Sequence, residues 1–308
     1  MALVNLNNLS KRIGGTWALW DVTLEIDAGE ILGVFGRSGS GKSTLASIVA
    51  GLDQPTSGCL RHGNLPEDGE LRPSIGLQRP AFAPELTVFE NLEMFASLWG
   101  VPRRLRVREI SFLLELLELA GARSSRAGEL SGGSLQRLEI ARALVAGSPL
   151  TIIDCLLDAL DPPVFEKLWD HLLAMRRSGR SVMALTASAR VAEVCQRISV
   201  IHRGRIGFVG RPDDFRRLAG EDVVVLGDMA TPEARKRVQE KFSIVVREED
   251  GFLTFRVSNG ERMVSDLLAE FGGELSCVYL KRPTLDDALD TLAGGGASAV
   301  AGVGERQN

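Results

Sequence analysis

A glycine-rich segment at residues 36–44 has the residue types and the spacing of a phosphate-binding loop. It matches the pattern G-x-x-x-x-G-K-[ST] in full, and its members are Gly36, Arg37, Ser38, Gly39, Ser40, Gly41, Lys42, Ser43 and Thr44. Glycine lets the backbone turn its N–H groups inward toward phosphate oxygens. The Lys42 amine can reach the β- and γ-phosphates, and the Ser43 hydroxyl can ligate magnesium. The segment therefore predicts binding of a nucleoside triphosphate.

The residues on either side of this loop supply the context that the motif requires. Residues 30–35 are apolar and β-prone, and residues 45–52 are compatible with an amphipathic helix. A strand, a glycine-rich turn and a helix start form the arrangement in which such a loop binds phosphate, because the helix N-terminus adds a partial positive charge. The alternative is a glycine-rich turn with an incidental lysine, which would not need these neighbours.

A second helix start with open backbone amides is predicted at residues 130–137, which read Leu-Ser-Gly-Gly-Ser-Leu-Gln-Arg. Ser131 is a favourable N-cap residue, and Gly132 and Gly133 leave the amides accessible to an anion. Taken alone, this would be an ordinary helix N-terminus. A short apolar run at residues 150–154 follows the helix and predicts a buried strand that ends in Asp154.

In this order the segments resemble the ATP-binding-cassette (ABC) ATPases, whose signature motif reads LSGGQ. Residues 130–134 match that motif with Ser134 in place of the glutamine. The family's glutamine loop is matched by Gln78, Pro80 and residues 86–92, and its aspartate loop is matched around Asp161.

The resemblance covers residues 1 to about 215. It implies an α/β P-loop NTPase fold, with a helical subdomain at about residues 87–146 that carries the signature motif. It also implies ATP and Mg²⁺ as ligands. Lys42 and Ser43 would hold phosphates and magnesium, Asp154 would hold magnesium through water, and Gln78 would sense the magnesium and contact a membrane partner.

In that family two cassettes meet head to tail, and each ATP lies between one chain's phosphate loop and the other chain's signature motif. The resemblance implies that Ser131, Gly132, Gly133 and Ser134 act on the nucleotide of a second cassette, with Asp161 in the dimer contact. It implies integral membrane transporter subunits as further partners and a cytoplasmic position on the inner face of the cell membrane.

The sequence departs from the family where hydrolysis would occur. The family has a glutamate after the strand-ending aspartate, and this chain has Cys155. A neutral thiol, with an ordinary pKa near 8.5, is a poor base for water at pH 7. Asp158 is an alternative base, although it lies in the segment that leads to the aspartate loop. Ala187 stands at the position of the family's switch histidine, which normally hydrogen-bonds the γ-phosphate.

A milder departure concerns the aromatic residue that stacks on adenine in the family. It is expected near Ile13, where this chain keeps only the two following glycines. Trp17 could stack on the base instead, and an ordinary core or surface tryptophan is the alternative.

Residues 221–292 predict a small α+β domain. The order of predicted elements is the split-βαβ pattern of a ferredoxin-like sandwich, with one extra helix. Residues 282–289 resemble the closing element of the drug- and polysaccharide-exporter branch of the family, and an ordinary N-capped terminal helix is the alternative. Residues 293–308 lack core-forming side chains and are predicted to be disordered.

The composition agrees with a cassette that does not bind nucleic acid. The net charge of −4 gives no electrostatic footprint for nucleic acid, and the four scattered cysteines fit reduced thiols better than a metal cage. The favoured hypothesis is the ATP-binding subunit of an exporter. Its own site would be impaired in hydrolysis, and it would pair with a competent cassette. The alternative is a non-hydrolysing regulatory or scaffolding cassette of a membrane assembly that is not a transporter.

Overall fold

The computed structural model describes residues 2–63, 71–78, 82–227, 232–249, 252–272 and 275–293. It divides into two compact units, one that ends at Pro212 and one that begins at Asp213. Pro80 of the predicted glutamine loop lies outside the described residues. So does the predicted disordered tail, apart from Ala293.

The first unit is built from nine strands and six helices within its described residues. The strands are β1 (Ala2–Ile13), β2 (Thr16–Asp27), β3 (Ile31–Phe35), β4 (Ser57–His62), β5 (Ser74–Gly76), β6 (Leu150–Asp154), β7 (Ser181–Thr186), β8 (Arg197–His202) and β9 (Arg205–Gly210). The helices are α1 (Lys42–Val49), α2 (Val88–Leu98), α3 (Arg103–Leu116), α4 (Gly132–Val145), α5 (Pro162–Arg177) and α6 (Ala189–Val194). Short 3-10 turns lie at Ala120–Ala122, Ala127–Glu129 and Leu157–Ala159.

Two sheets sandwich the core of this unit. The larger has the order β5-β6-β7-β3-β8-β9 and is parallel except for the antiparallel pair β8–β9. The smaller is antiparallel with the order β2-β1-β4. Leu45 of α1 belongs to the same core cluster as Leu6 of β1 and Val34 of β3. The fold is thus the α/β P-loop type that the sequence predicted.

The central strands are buried along their whole length. Every residue of β3, β6 and β7 is buried, which explains why these strands appear in the sequence as short apolar runs without alternation. The carboxyl ends of parallel strands meet at one edge of a sheet, and ligands bind at that edge in open α/β folds. The phosphate-binding segment follows β3, and Cys155 and Ala187 follow β6 and β7.

The start of α2 is fixed by polar side chains. Thr87 accepts a hydrogen bond from the Glu90 amide (3.2 Å), and the Glu90 carboxylate accepts one from the Thr87 amide (2.8 Å), which forms a capping box. Asn91 is completely buried, and its amide group bonds both the amide and the carbonyl of Ala83 (3.0 Å each). These bonds attach the segment after Gln78 to the helical subdomain.

The position of α3 differs from the sequence prediction. The residue pattern predicts a helix over residues 107–119, and the helix lies at Arg103–Leu116. Its first turn is Arg-Arg-Leu-Arg, and such a turn has no apolar periodicity that could mark the helix start.

The second unit continues from α7 (Pro212–Arg216), with a 3-10 turn at Arg217–Ala219. Its further elements are β10 (Asp222–Leu226), α8 (Pro232–Phe242), β11 (Arg247–Glu249), β12 (Phe252–Val257), α9 (Gly260–Phe271), β13 (Val278–Lys281) and α10 (Leu285–Ala293). The sheet is antiparallel with the order β11-β12-β10-β13, which is a split-βαβ arrangement. Val238 of α8 and Leu267 of α9 share a core with Leu253 of β12.

One strand prediction in this unit is wrong. The residue pattern predicts a strand over residues 243–247, and the strand lies instead at Arg247–Glu249. Ser243 has a φ of +54°, and Ile244 and Val246 pack against the core from the loop before the strand. This loop packing accounts for the apolar, β-branched run at residues 244–246, which is typical of a strand.

The start of α10 has a simple physical explanation. Thr284 accepts a hydrogen bond from the Asp287 amide (3.1 Å), and the Asp287 carboxylate accepts one from the Thr284 amide (2.8 Å). This reciprocal cap accounts for both residues, so the likeness to the exporter closing element stays a prediction.

None of the described helices is both long and apolar enough to cross a membrane.

A buried ion pair attaches α4 to the edge strand β5. Glu139 is completely buried and pairs with Arg142 one turn later. Glu139 also accepts a hydrogen bond from the amide of Leu77 (3.0 Å), and Arg142 donates to the carbonyl of Ile75 (2.8 Å). The chain that leads to Gln78 is therefore held on α4.

Replacing Glu139 by alanine should lower the free energy of unfolding of the first unit by about 3–5 kcal/mol, because the Arg142 guanidinium would stay largely buried without a counter-ion. Urea unfolding followed by tryptophan fluorescence measures this, since all four tryptophans precede residue 213. The matched control is the double variant Glu139→Leu/Arg142→Met, which removes both charges and should be more stable than Glu139→Ala. If the free energy of unfolding of Glu139→Ala were within about 1 kcal/mol of the wild-type value, the stabilising role of the pair would be contradicted.

Candidate functional site

The phosphate-binding segment joins the end of β3 to the start of α1. Gly41 is the N-cap of α1 with a φ of +110°, and a Cβ atom there would lie 2.6 Å from the Ala18 carbonyl oxygen. A Cβ atom at Gly36 would lie 2.3 Å from the Ile201 carbonyl oxygen. Both positions therefore require glycine, and the tight path leaves the loop amides at the carboxyl edge of the sheet.

Lys42 is the cation of this loop. Its side chain is buried, and its ammonium group donates hydrogen bonds to the carbonyls of Gly36 (2.6 Å) and Arg37 (2.9 Å). An ammonium group has three protons, so one remains for an acceptor outside the loop. The positive charge is thus held in place beside the loop amides.

The predicted nucleotide-binding residues meet at one open cleft of the first unit. The members that line it are Ser38, Gly39, Gly41, Lys42, Ser43, Thr44 and Gln78, together with Trp17, Cys155, Asp158 and Ala187. Gly36, Ser40 and Asp154 are buried next to it, and Arg37 is exposed on the turn. Sequence positions as far apart as Trp17 and Ala187 are therefore neighbours at this edge.

Asp154 carries an unsatisfied oxygen. The side chain is buried, and its Oδ1 atom has no hydrogen-bond partner among the described residues. A buried carboxylate oxygen without a partner is costly and rare. A cation, or water bound to one, would satisfy it. The Ser43 hydroxyl and the Gln78 amide oxygen in the same cleft are also ligands of the kind that Mg²⁺ takes, so the residues present fit a magnesium ion.

Cys155 carries a neutral thiol. The residue follows β6 with a φ of +56°, and its amide donates to the Leu185 carbonyl (2.9 Å). Burial, and then the negative charge of Asp154, raise the pKa of the thiol to about 12. At pH 7 the group has no basic lone pair of useful strength, so it cannot take a proton from water.

Asp158 is engaged by the loop that follows β7. Its carboxylate accepts hydrogen bonds from the Thr186 hydroxyl and from the Ala187 amide (2.9 Å). Asp158 therefore anchors the loop in which the sequence analysis placed the missing histidine. This structural role was not foreseen, because the two segments are distant in the sequence.

The predicted signature residues lie at the start of α4. Ser131 caps α4 by accepting a hydrogen bond from the Ser134 amide (3.2 Å), and Gly132 and Gly133 are exposed. None of the four predicted signature residues lines the cleft described above. Gln136, further along the same helix, does line it.

Asp161, the predicted dimer-contact residue, is the N-cap of α5 and is largely exposed. Its carboxylate accepts a hydrogen bond from Arg137 of α4 (2.5 Å), and Arg137 also pairs with Glu118 (3.6 Å). The sequence does not indicate the contacts of Arg137, or the earlier pair of Glu139 and Arg142, because charged residues on a helix usually indicate a solvated face.

Trp17 stands at the rim of the cleft. Its ring is partly exposed and meets Trp20 edge to face, with 4.6 Å between the ring centroids. The guanidinium of Arg12 lies 5.8 Å from the Trp17 ring centroid. A ring held in this way offers a flat apolar surface for a base, whereas Ile13 is exposed and does not line the cleft.

Comparisons with known proteins agree with this geometry. The family described as ABC transporter matches residues 19–155. The methionine import ATP-binding protein MetN 2 of Burkholderia mallei is 39% identical over 204 residues, which are 63% of this chain and 52% of that protein. The chain thus spans about half the length of that relative. MetN of Ralstonia nicotianae is 34% identical over 275 residues, 81% of this chain and 77% of that protein.

An exporter relative aligns over more of the chain. The Nod factor export ATP-binding protein I of Cupriavidus pinatubonensis is 28% identical over 311 residues, 95% of this chain and 91% of that protein. Among solved structures, the ATP-binding subunit of an ABC transporter superposes with a TM-score of 0.63 at 28% identity, over 70% of this chain and 92% of that chain. The dimeric, post-hydrolysis cassette MJ0796 bound to ADP and Pi superposes with a TM-score of 0.61 at 29% identity. The superposition covers 68% of this chain and 98% of that chain.

The raised pKa of Cys155 predicts slow alkylation of the native protein. At pH 8 a thiol with the ordinary pKa near 8.5 is about one quarter thiolate, and a thiol of pKa 12 is about one ten-thousandth thiolate. The native rate should therefore be about 10³-fold below that of the urea-unfolded chain. Iodoacetamide labelling with peptide mass spectrometry measures this residue by residue. The native rate should still rise without a plateau between pH 7 and 10. A plateau near pH 9 would contradict the prediction.

Proposed function

Because this chain belongs to the ATP-binding proteins of the ABC transporter family, we propose that it is the nucleotide-binding subunit of a membrane transporter whose own cleft binds MgATP but hydrolyses it slowly. One observation carries the proposal. The groups suited to bind phosphate and a cation are assembled in one cleft, and the residue after Asp154 there is a neutral, half-buried thiol.

The expected loss of rate is large. A positioned acid or base contributes about 10²- to 10⁴-fold to a reaction, which corresponds to roughly 3–5 kcal/mol of activation free energy. Cys155 cannot supply this contribution, and Ala187 has no side chain that could hydrogen-bond a γ-phosphate. Binding needs neither residue, since the loop amides, Lys42 and Ser43 are unaffected.

Magnesium belongs to this proposal as a ligand of the nucleotide. When bound, it would neutralise phosphate charge. Asp154, Ser43 and Gln78 are the residues that we assign to it, Asp154 through water. The unsatisfied oxygen of Asp154 supports this assignment.

A second cassette follows from the position of the signature residues. Ser131, Gly132 and Gly133 do not line this chain's own cleft, and their amides are exposed at the start of α4. We assign them to the nucleotide of a partner cassette that carries an intact catalytic site. The chain would then be the weak half of an asymmetric pair.

A membrane subunit would dock at a groove beside Gln78. This groove is lined by apolar and charged side chains that include Leu52, Leu71, Leu77, Trp99 and Arg142. Arg142 is bonded to β5 and to Glu139, so a partner seated in the groove would act on the same strand that leads to Gln78. The chain would accordingly work as a peripheral subunit on the cytoplasmic face of the membrane.

Export is the direction that we propose. The export ATP-binding protein from Cupriavidus aligns with 95% of this chain, whereas MetN of Ralstonia aligns with 81% at higher identity. The likeness of residues 282–289 to the exporter closing element supports the same direction.

The loss of both hydrolytic groups also favours a second candidate, a non-hydrolysing regulatory or scaffolding cassette. The two candidates differ in their partners. Vesicle transport that requires this chain, together with copurified membrane subunits, identifies the transporter subunit, and a membrane assembly without transport activity identifies the scaffold.

Restoring the carboxylate tests the impaired site. The purified wild-type chain should bind MgATP in isothermal titration yet turn over below about 0.1 s⁻¹, since enzymes typically reach about 10 s⁻¹ and the missing group contributes 10²-fold or more. Cys155→Glu should raise turnover at least tenfold. Cys155→Gln, which has the same size without the charge, is the matched control and should stay slow. Ordinary turnover by the wild type alone would refute the proposal.

Removing the loop cation tests the binding half separately. Lys42→Ala deletes a buried charge that we assign to the phosphates, and a hydrogen bond to a charged group contributes about 1.5–3 kcal/mol. The affinity for MgATP should therefore fall by about 10- to 100-fold in the same titration. An unchanged affinity would contradict the assignment of Lys42 to phosphate binding, and this outcome does not depend on the turnover of the Cys155 variants.

A further inference from the structure

The corner between α2 and α3 (residues 98–108) is strongly basic. It holds four arginines and no acidic residue, in a chain whose net charge is −4. The arginines are Arg103, Arg104, Arg106 and Arg108. Arg103, Arg104 and Arg108 are exposed and have no ion pair among the described residues. The low overall charge of the chain conceals this local concentration.

The same corner exposes aliphatic side chains. Leu98 is 74% exposed, Val107 54% and Leu105 39%. Single exposed apolar residues are ordinary, but three within ten residues, interleaved with arginines, form an amphipathic surface. The guanidinium of Arg106 donates to the Val101 carbonyl (2.7 Å), which fixes the turn between the two helices.

Helix stability does not explain the arginines. The first turn of α3 has no acidic residue, and its N-cap, Pro102, makes no side-chain cap. Cations near a helix N-terminus oppose the helix dipole, whereas acidic residues there would stabilise it. A sequence that breaks a local rule without a local gain points to a role at the surface.

We propose that the α2–α3 corner binds the surface of a membrane that contains anionic lipids. The arginines would meet the phosphate groups, and Leu98, Leu105 and Val107 would enter the boundary between headgroups and acyl chains. Basic residues attract anionic leaflets, and exposed aliphatic residues gain by burial at that boundary. A nucleic acid would satisfy the arginines and leave the aliphatic side chains in water, so the combination favours lipid.

The corner adjoins the groove assigned to a membrane subunit. Trp99, the C-cap of α2, lines that groove and directly follows Leu98. This adjacency matters only if the groove receives a membrane subunit as proposed above. The charge and the exposed side chains of the corner do not depend on that role.

Vesicle co-sedimentation of the full chain without nucleotide tests the lipid contact. Binding to vesicles of 30% phosphatidylglycerol in phosphatidylcholine should exceed binding to pure phosphatidylcholine and should weaken as salt rises. The variant Arg103→Gln/Arg104→Gln/Arg108→Gln should lower the partition coefficient by about 100-fold, at roughly fivefold per basic residue near an anionic surface. Leu98→Ser/Val107→Ser should lower binding on both vesicle types.

The matched control removes the same charge elsewhere. Arg61, Arg177 and Arg256 are exposed, and their triple glutamine variant should bind vesicles with less than a threefold change. Equal losses in the two triple variants would overturn the proposal, because the effect would then be net charge alone. The proposal would also be overturned if the wild-type chain bound heparin but did not bind anionic vesicles. MgATP affinity in the same variants reports the nucleotide site, so a failed lipid contact and a failed ATP site are distinguishable.

Discussion

The parallel pairing of β6, β7 and β3 is the constraint on which the candidate site depends. Asp154 lies opposite Leu185, and Phe35 opposite Thr186, so the three chain segments leave the sheet at one level. The Gly36 amide donates to the Thr186 carbonyl (3.2 Å), which attaches the phosphate-binding loop to the neighbouring strand. Because these strands are buried at every residue, their register is strongly specified. The positions of the groups at the edge follow from that register.

The same burial accounts for the contrast between Asp154 and Cys155. A carboxylate at position 155 would stand beside the buried charge of Asp154, and two like charges in a poorly solvated site repel unless a cation lies between them. A thiol removes this repulsion, and its own pKa rises because burial disfavours the thiolate. The thiol therefore avoids placing a second negative charge beside Asp154.

The sequence was sufficient for features whose signal is local. The glycine spacing between Gly36 and Thr44 is enough to predict the phosphate-binding loop. The short apolar run that ends at Asp154 is enough to predict a buried strand. It was insufficient where distant segments decide the outcome. Asp158 acquires its role from Thr186, and Glu139 is buried only because β5 lies against α4. The start of α3 was missed for another reason, since its first turn is polar and helix periodicity needs apolar residues.

The bonds from Glu139 and Arg142 to β5 also have a mechanical consequence. Because the buried charge pair of α4 bonds backbone groups of Ile75 and Leu77, a displacement of the chain near Leu77 would move α4 with it. Ser131, the N-cap of this helix, precedes Glu139 by eight residues, which is about 12 Å at 1.5 Å per residue. A small displacement at the groove would thereby be transmitted to the residues that we assign to another nucleotide.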